Sequence, residues 1–376
     1  MTANAVRAFF LVALAVLVLL SLLVLHTQLQ QQPKMRGTSL HPIQFAVIGD
    51  FGTGQATQLQ VARHLARQHK QRPFQFVIST GDQMYNMVGE EREQGRDGVA
   101  SVEDPLFALN FENVYRPAFS NVPWYMTLGN HDCAGNASAQ VLYTHHSPSP
   151  HLWQMPQRYY AFQKQFDASN SLVQFIVLDS CSLACGGSSS SSSKNERCRH
   201  VHHPSNSVRQ QQLEWLKHIL ETPLPTQDSW IVISSHWPLF SVMGNGPTRS
   251  MLSDIEPLLE AARVLHGKNR IVWFNGHDHG LQHIERFQKH YFVSGGGGFK
   301  LHPTLKATAD GAYRDPDTTI MKSTLNEMEG VKVPYSKSTF GFMKVQLYSN
   351  GKGVVDFYES LESEKAAKLI YKVDIP

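Results

Sequence analysis

The chain has 376 residues, 41% of them hydrophobic, and four cysteines, which at roughly 150 residues per domain means one large domain or two ordinary ones. That composition excludes a disordered tail and a miniature fold built on disulfides alone. With 34 basic against 31 acidic residues the formal charge is +3, too small for the net field to recruit nucleic acid or an acidic membrane surface.

The first element is Ala8 to Leu25, eighteen uncharged residues broken only by Ser21, preceded by Arg7 and followed by the polar run His26 to Gln32. No polar second face exists, as a buried core helix would have. The length is at the short end of a membrane span and above the roughly 7 to 15 residues of a secretory h-region, and no small-x-small cleavage signal follows Leu25. An N-terminal hydrophobic helix acting as an uncleaved signal anchor is expected, with a cleaved signal peptide as the alternative. Residues 1–33 then form the leader and linker and 34–376 a single domain, lumenal or extracellular, membrane-anchored or secreted.

Beyond the leader, short β-branched and aromatic runs predict strands at Gln44 to Ile48, Phe74 to Ser79, Trp124 to Leu128, Val173 to Leu178, Trp230 to Ser234 and Ile271 to Phe274. Helical spacing lies between them at Gln58 to His69 and at Val208 to Leu220, where Leu213, Leu216 and Leu220 repeat at three and four. This alternation predicts an α/β fold. Asn136-Ala137-Ser138 is an N-glycosylation sequon in a small-residue stretch. Cys133, Cys181, Cys185 and Cys198 allow three pairings, and Cys185 with Cys198 is the candidate disulfide closing the Ser188 to Ser193 tract. Cys198, His200, His202 and His203 have zinc-ligand composition without a standard spacing. At the C-terminus, Phe340 to Tyr348, Gly353 to Tyr358 and Leu369 to Val373 read as further strands, with Asn350-Gly351 a hairpin signal. Two packed sheets accommodate both halves.

The chemistry lies where strands end. Asp50 follows the first strand in Gly49-Asp50-Phe51-Gly52, and Asp82 the second in Gly81-Asp82-Gln83-Met84-Tyr85. Asn130 and His131 follow the third in Gly129-Asn130-His131-Asp132; His236 and Gly276-His277-Asp278-His279 follow the fifth and sixth. Each motif alone is most often a turn, but the carboxyl ends of neighbouring strands share one crevice, so together they can converge. Two carboxylates, an amide oxygen, three imidazoles and a phenol are N/O donors without thiolate, enough for two hard or borderline cations sharing a carboxylate. Such a pair suits in-line attack of activated hydroxide on a phosphate ester.

With these motifs the sequence resembles the metallophosphoesterase superfamily and, within it, the purple acid phosphatases of the small tartrate-resistant type. Tyr85, three residues after Asp82, and Gly52 in place of a histidine mark that branch. Val122-Pro123-Trp124-Tyr125, Gly135 to Gln140, Gln212 to Leu216 and Ser294-Gly295-Gly296-Gly297-Gly298-Phe299 extend the similarity over the chain from Ile43 onward.

The resemblance implies a four-layer α-β-β-α sandwich of two mixed sheets and acid hydrolysis of phosphate monoesters. It also implies Fe(III) held by Asp50, Tyr85 and His279, with Asp82 bridging to Fe(II) or Zn(II) on Asn130, His236 and His277. His131 is expected to hydrogen-bond the phosphate or the departing oxygen. A diesterase or nucleotide pyrophosphatase on the same centre, and a non-catalytic surface glycoprotein, are the alternatives. Relatives carry a proteolytically cut loop at the place of Cys181 to His203. Where they carry a Glu-His pair before Gly-Pro-Thr, this chain has Gly244-Asn245, neither a ready proton donor, so alkoxide leaving groups are expected to be handled poorly.

Overall fold

A computed structural model describes residues 41–88, 91–92, 97–167, 169–186, 198, 205–266, 270–304, 306–307, 313–314, 322–323 and 330–376. The hydrophobic segment 8–25, the serine tract and His200, His202 and His203 lie outside the described residues. Among the described residues no helix is long and apolar enough to cross a membrane.

Fourteen strands build two sheets. In chain order they begin with β1 (Ile43–Ile48), β2 (Phe76–Ser79), β3 (Trp124–Tyr125), β4 (Trp153–Gln154), β5 (Tyr160–Gln165), β6 (Leu172–Val177) and β7 (Trp230–Ser234). They continue with β8 (Ile271–Asn275), β9 (Leu281–Arg286), β10 (Lys289–Ser294), β11 (Val331–Lys337), β12 (Gly341–Leu347), β13 (Gly353–Glu359) and β14 (Lys368–Ile375). The first sheet has the order β14-β13-β12-β1-β2-β3-β4, the second β11-β9-β10-β8-β7-β6-β5. Both are mixed: β1 to β4 pair in parallel while the β1–β12, β12–β13 and β13–β14 pairs are antiparallel, and β6, β7, β8 and β10 pair in parallel while the β5–β6, β9–β10 and β9–β11 pairs are antiparallel.

Strand periodicity creates the layers. Along β1, Phe45 and Val47 enter the cluster between the sheets, with Phe175, Phe274 and Phe292, whereas Ala46 and Ile48 join the cluster under the helices. β7 divides likewise, Trp230 and Val232 inward, Ile231 and Ile233 toward helices. Helices Ala56–Gln71, Asn206–Glu221 and Arg249–His266 contribute Val61 and Leu65, Leu216 and Leu220, and Ile255 and Leu259 to that outer cluster. Strands apolar on both faces therefore read as continuous hydrophobic runs.

The third expected strand is shorter than its apolar run, ending at Tyr125 because the chain turns toward Gly129 and helix Asn130–Ala134. Asn350-Gly351 does join β12 to β13, with Gly351 at φ 74°. Sequence reading missed the β9–β10 hairpin because Phe287-Gln288, both at positive φ, turn it without the usual Asn-Gly. It also missed helix Arg249–His266, whose interior Pro257 is a breaker signal.

Two disulfides are present. Cys185–Cys198 closes the serine tract, and Cys133–Cys181 fastens helix Asn130–Ala134 to helix Ser180–Cys185 after β6. Their sequence separations are 48 for Cys133–Cys181 and 13 for Cys185–Cys198, and loop-closure entropy grows with loop length. Replacing Cys133 and Cys181 by Ala is expected to lower stability by about 2–5 kcal/mol, and more than the same change at Cys185 and Cys198. Denaturant midpoints of the two double variants check the order.

Candidate metal centre

Asp50 sits two residues past β1, Asp82 three past β2, His236 two past β7, and His277 and His279 in the turn from β8 to β9. Asp50, Asp82 and His277 occupy the left-handed region, with φ of 58°, 55° and 68°. Non-glycine residues pay a conformational cost there, which surrounding structure must impose. At each site it does: Asp50 N donates to Gly81 O, Asp82 N to Asp132 Oδ2, and His277 N to both oxygens of Asp50. The adjoining glycines are steric requirements, since a Cβ at Gly129 would strike the Asp82 carboxylate and one at Gly276 that of Asp50.

The seven predicted donors fall into two groups that share one atom. In the first, Tyr85 Oη lies 3.0 Å from Asp82 Oδ2 and 3.4 Å from Asp50 Oδ1, and His279 Nε2 lies 3.3 Å from Asp50 Oδ1. In the second, Asn130 Oδ1 lies 3.0 Å from His236 Nε2 and 2.9 Å from His277 Nδ1, with 3.2 Å between those nitrogens. His236 Nε2 is 3.3 Å from Asp82 Oδ2, the atom common to both groups. Donors about 2.0–2.2 Å from one cation stand roughly 3 Å apart, so both groups fit an ion and Asp82 Oδ2 fits a bridge.

The remote ring nitrogens of His236 and His279 are held as metal-binding imidazoles require. His236 Nδ1 donates to Thr80 O at 2.8 Å and His279 Nδ1 to Lys300 O, which turns each Nε2 toward the carboxylates, where it is free to ligate a cation once its proton is displaced. Tyr85 is buried between the rings of Phe299 and His131, at 4.2 and 4.4 Å.

Electrostatics follow from burial of Asp50 and Asp82, which are 0% and 1% exposed. Burial opposes the Asp82 charge, but the imidazoles of His236 and His131 outweigh it and hold the carboxyl well below the usual carboxylate range. Burial likewise opposes the His236 imidazolium, and the carboxylates of Asp82 and Asp50 carry it up to about 9. Burial and both carboxylates push the Tyr85 phenol far above its ordinary value. Without a cation, protons on these groups balance the carboxylates; a bound cation would take their place.

His131 lies beside the donor groups, not within them. Its Nδ1 contacts Asp97 Oδ2 at 2.9 Å, its Nε2 is 3.8 Å from Asp82 Oδ2, and its backbone N donates to Asp82 Oδ1. Asn136 is exposed and caps helix Ala137–Tyr143 by accepting from Ala139 N. Asn245 points into neighbouring backbone: its N donates to Asp278 Oδ1 and its Nδ2 to His277 O.

Three supporting residues were not foreseen. Asp132 accepts from Asp82 N, Gly129 N and Gln140 Nε2; burial and the nearby Asp82 carboxylate raise its pKa to about 7. Asp97 steadies His131, and His302 stacks on His279 at 3.9 Å while its Nδ1 lies 3.1 Å from Asp278 Oδ1. Asp132 stood inside a motif already noted, but Asp97 and His302 lie in loops with no local signature.

A model of the calcineurin-like phosphoesterase family matches residues 43–281. The chain belongs to this family. Among curated proteins it is similar to tartrate-resistant acid phosphatase type 5 of Oryctolagus cuniculus, 31% identical over 293 residues, covering 76% of this chain and 81% of that one. It is also 31% identical to purple acid phosphatase 4 of Arabidopsis thaliana, over 69% of this chain and 68% of that one. This phosphoesterase is thus a relative of the purple and tartrate-resistant acid phosphatases. In fold it is similar to GAP50, the anchor in the inner membrane complex of Plasmodium, with a TM-score of 0.62 and 21% identity over 89% of each chain.

Asp132 accepts three N–H donors, a task that an amide cannot repeat because its NH2 would oppose one of them. Asp132→Asn is expected to cost about 1–3 kcal/mol of stability and to weaken metal retention about 10- to 100-fold. Thermal melts and metal analysis after dialysis check both.

Proposed function

We propose that this phosphoesterase is an acid phosphatase hydrolysing phosphate monoesters on a binuclear centre. The observation that carries the reading is the single atom Asp82 Oδ2 lying between two complete donor groups. Asp50, Tyr85 and His279 would hold Fe(III), for which a phenolate is a suitably hard anionic donor, and Asn130, His236 and His277 would hold Fe(II) or Zn(II). When bound, such a pair supplies an acidified water and neutralises phosphate charge.

The remaining roles belong to side chains. His131, fixed by Asp97 and 13% exposed, is positioned to hydrogen-bond a phosphoryl oxygen or the departing oxygen. Asn245, committed to the His277–Asp278 backbone and to Asp278, gives the leaving group no proton. Residues 1–33 act as signal anchor or signal peptide, which with two disulfides puts the domain 34–376 in the secretory pathway, membrane-anchored or secreted. Asn136 is the glycan acceptor in that compartment.

Aryl phosphate hydrolysis is expected to have an acidic optimum and to fall at least about 100-fold in Asp82→Asn; unchanged turnover would refute the centre. Tyr85→Phe is expected to abolish visible ligand-to-metal absorption, and retained colour would remove Tyr85 as a donor. Alkyl phosphates should lag aryl ones by roughly the 10²- to 10⁴-fold that general acid assistance supplies, measured as a kcat ratio on matched substrates. A diester hydrolysed faster than its matched monoester would move the assignment to phosphodiesterase.

A further inference from the structure

A second group of metal-type donors lies on the β9–β10 hairpin. The antiparallel register sets Glu285 opposite His290 and His283 opposite Phe292. His283 and Glu285 are two apart on one strand and so share a face. His283 Nε2 lies 3.0 Å from His290 Nδ1, Glu285 Oε1 lies 3.6 Å from the first nitrogen, and it lies 3.9 Å from the second. Ligands at about 2.0–2.1 Å on a tetrahedron stand roughly 3.3 Å apart. The three separations bracket that value, so small side-chain rotations bring all three donors onto one ion. Neither histidine is a donor of the binuclear centre.

A partner from the opposite sheet holds the remote nitrogen of His283. Tyr371 Oη on β14 lies 2.9 Å from His283 Nδ1. If the phenol donates to Nδ1, then Nε2 carries the proton and bonds to His290. If His283 carries its proton on Nδ1, donating to the phenol, and His290 carries its own on Nε2, the lone pairs of His283 Nε2 and His290 Nδ1 face each other at 3.0 Å, an arrangement that a cation stabilises. Burial lowers the His283 pKa to about 3, aided by the neighbouring His290, and lowers that of His290 as well. Burial thus favours the neutral form of both rings, the form that ligates. His283 is fully buried while the Glu285 side chain is 31% exposed, which opens the fourth position to water. Nearby cations have other carboxylates: Arg286 pairs with Glu256 and Lys289 with Glu260, although Lys332 opposes Glu285 across β11.

We propose that His283, Glu285 and His290 form a mononuclear zinc site on the β9–β10 hairpin, separate from the binuclear centre, with Tyr371 orienting His283. Two neutral imidazoles, one carboxylate and one water are a donor set that Zn(II) accepts. The ion would fasten the hairpin whose first strand starts two residues after His279.

The test titrates Zn(II) calorimetrically into the full-length, metal-loaded protein after gel filtration, and collects zinc-edge anomalous data from crystals soaked in Zn(II). One zinc per chain beyond the binuclear centre is expected, with a peak between His283 Nε2 and His290 Nδ1. Glu285→Gln and His290→Gln should each weaken that site at least tenfold while leaving aryl phosphate turnover unchanged. Because Glu285 is partly exposed, its Gln variant removes a donor without disturbing the core, so a folding failure at His290 would not blunt the experiment. No anomalous peak on the hairpin, or zinc affinity unaltered in Glu285→Gln, would overturn the proposal. Failure of the binuclear reading would appear instead as unchanged turnover in Asp82→Asn, with the hairpin peak unaffected.

Discussion

The centre of this molecule depends on one electrostatic constraint, a carboxylate pair with almost no access to water. Asp50 and Asp82 are shut in by β1, β2 and the loops after them, and an isolated buried carboxylate is prohibitively costly. Its charge must be met by hydrogen bonds, by imidazolium or by a cation, and every element that reaches the site brings one of these. Backbone N–H groups of His277 and His131 address the carboxylates directly. Three imidazoles and a phenol complete the surround. Such a constellation has no purpose in a purely structural core, where apolar side chains of equal volume would fold at least as well.

Backbone strain is part of the same solution. Left-handed conformations at Asp50, Asp82 and His277 turn each side chain back over its strand end, and the fold must hold them there. The inter-sheet aromatic cluster makes that possible by fixing the strands. Phe45 packs edge-on to Phe175 and Phe274 at 5.5 and 6.2 Å, so β1, β6 and β8, from two sheets, keep a constant relation. The apolar core thus fixes the strand ends from which the donors project.

The region where the resemblance breaks is also structurally specific. Asn245, where the resemblance leads one to expect a proton-donating side chain, is tied by two hydrogen bonds to the His277–Asp278 segment. Asp278 in turn meets His302, whose ring covers His279. These contacts brace the turn that carries His277 and His279.

Much was legible from sequence because its signals are local. Apolar runs marked most strands, helical spacing marked Ala56–Gln71 and Asn206–Glu221, and glycine-flanked Asp50, Asp82, Asn130, His277 and His279, with His236 between Ser235 and Trp237, stood beyond strand ends. Strand-end position gathers Asp50, Asp82 and Asn130 along one sheet and His236, His277 and His279 along the other, whereas the meeting of the two sets depends on how the sheets pack. Only tertiary structure decided which atom faces which. Asp132, Asp97 and His302 support the site through contacts 50, 34 and 23 residues away in sequence, at Asp82, His131 and His279. The pairing of Cys133 with Cys181 and the meeting of His283, His290 and Tyr371 were equally invisible, because each rests on how two strands register or two sheets face. Periodicity is written in neighbouring residues, whereas those contacts arise only when distant backbone segments are packed together.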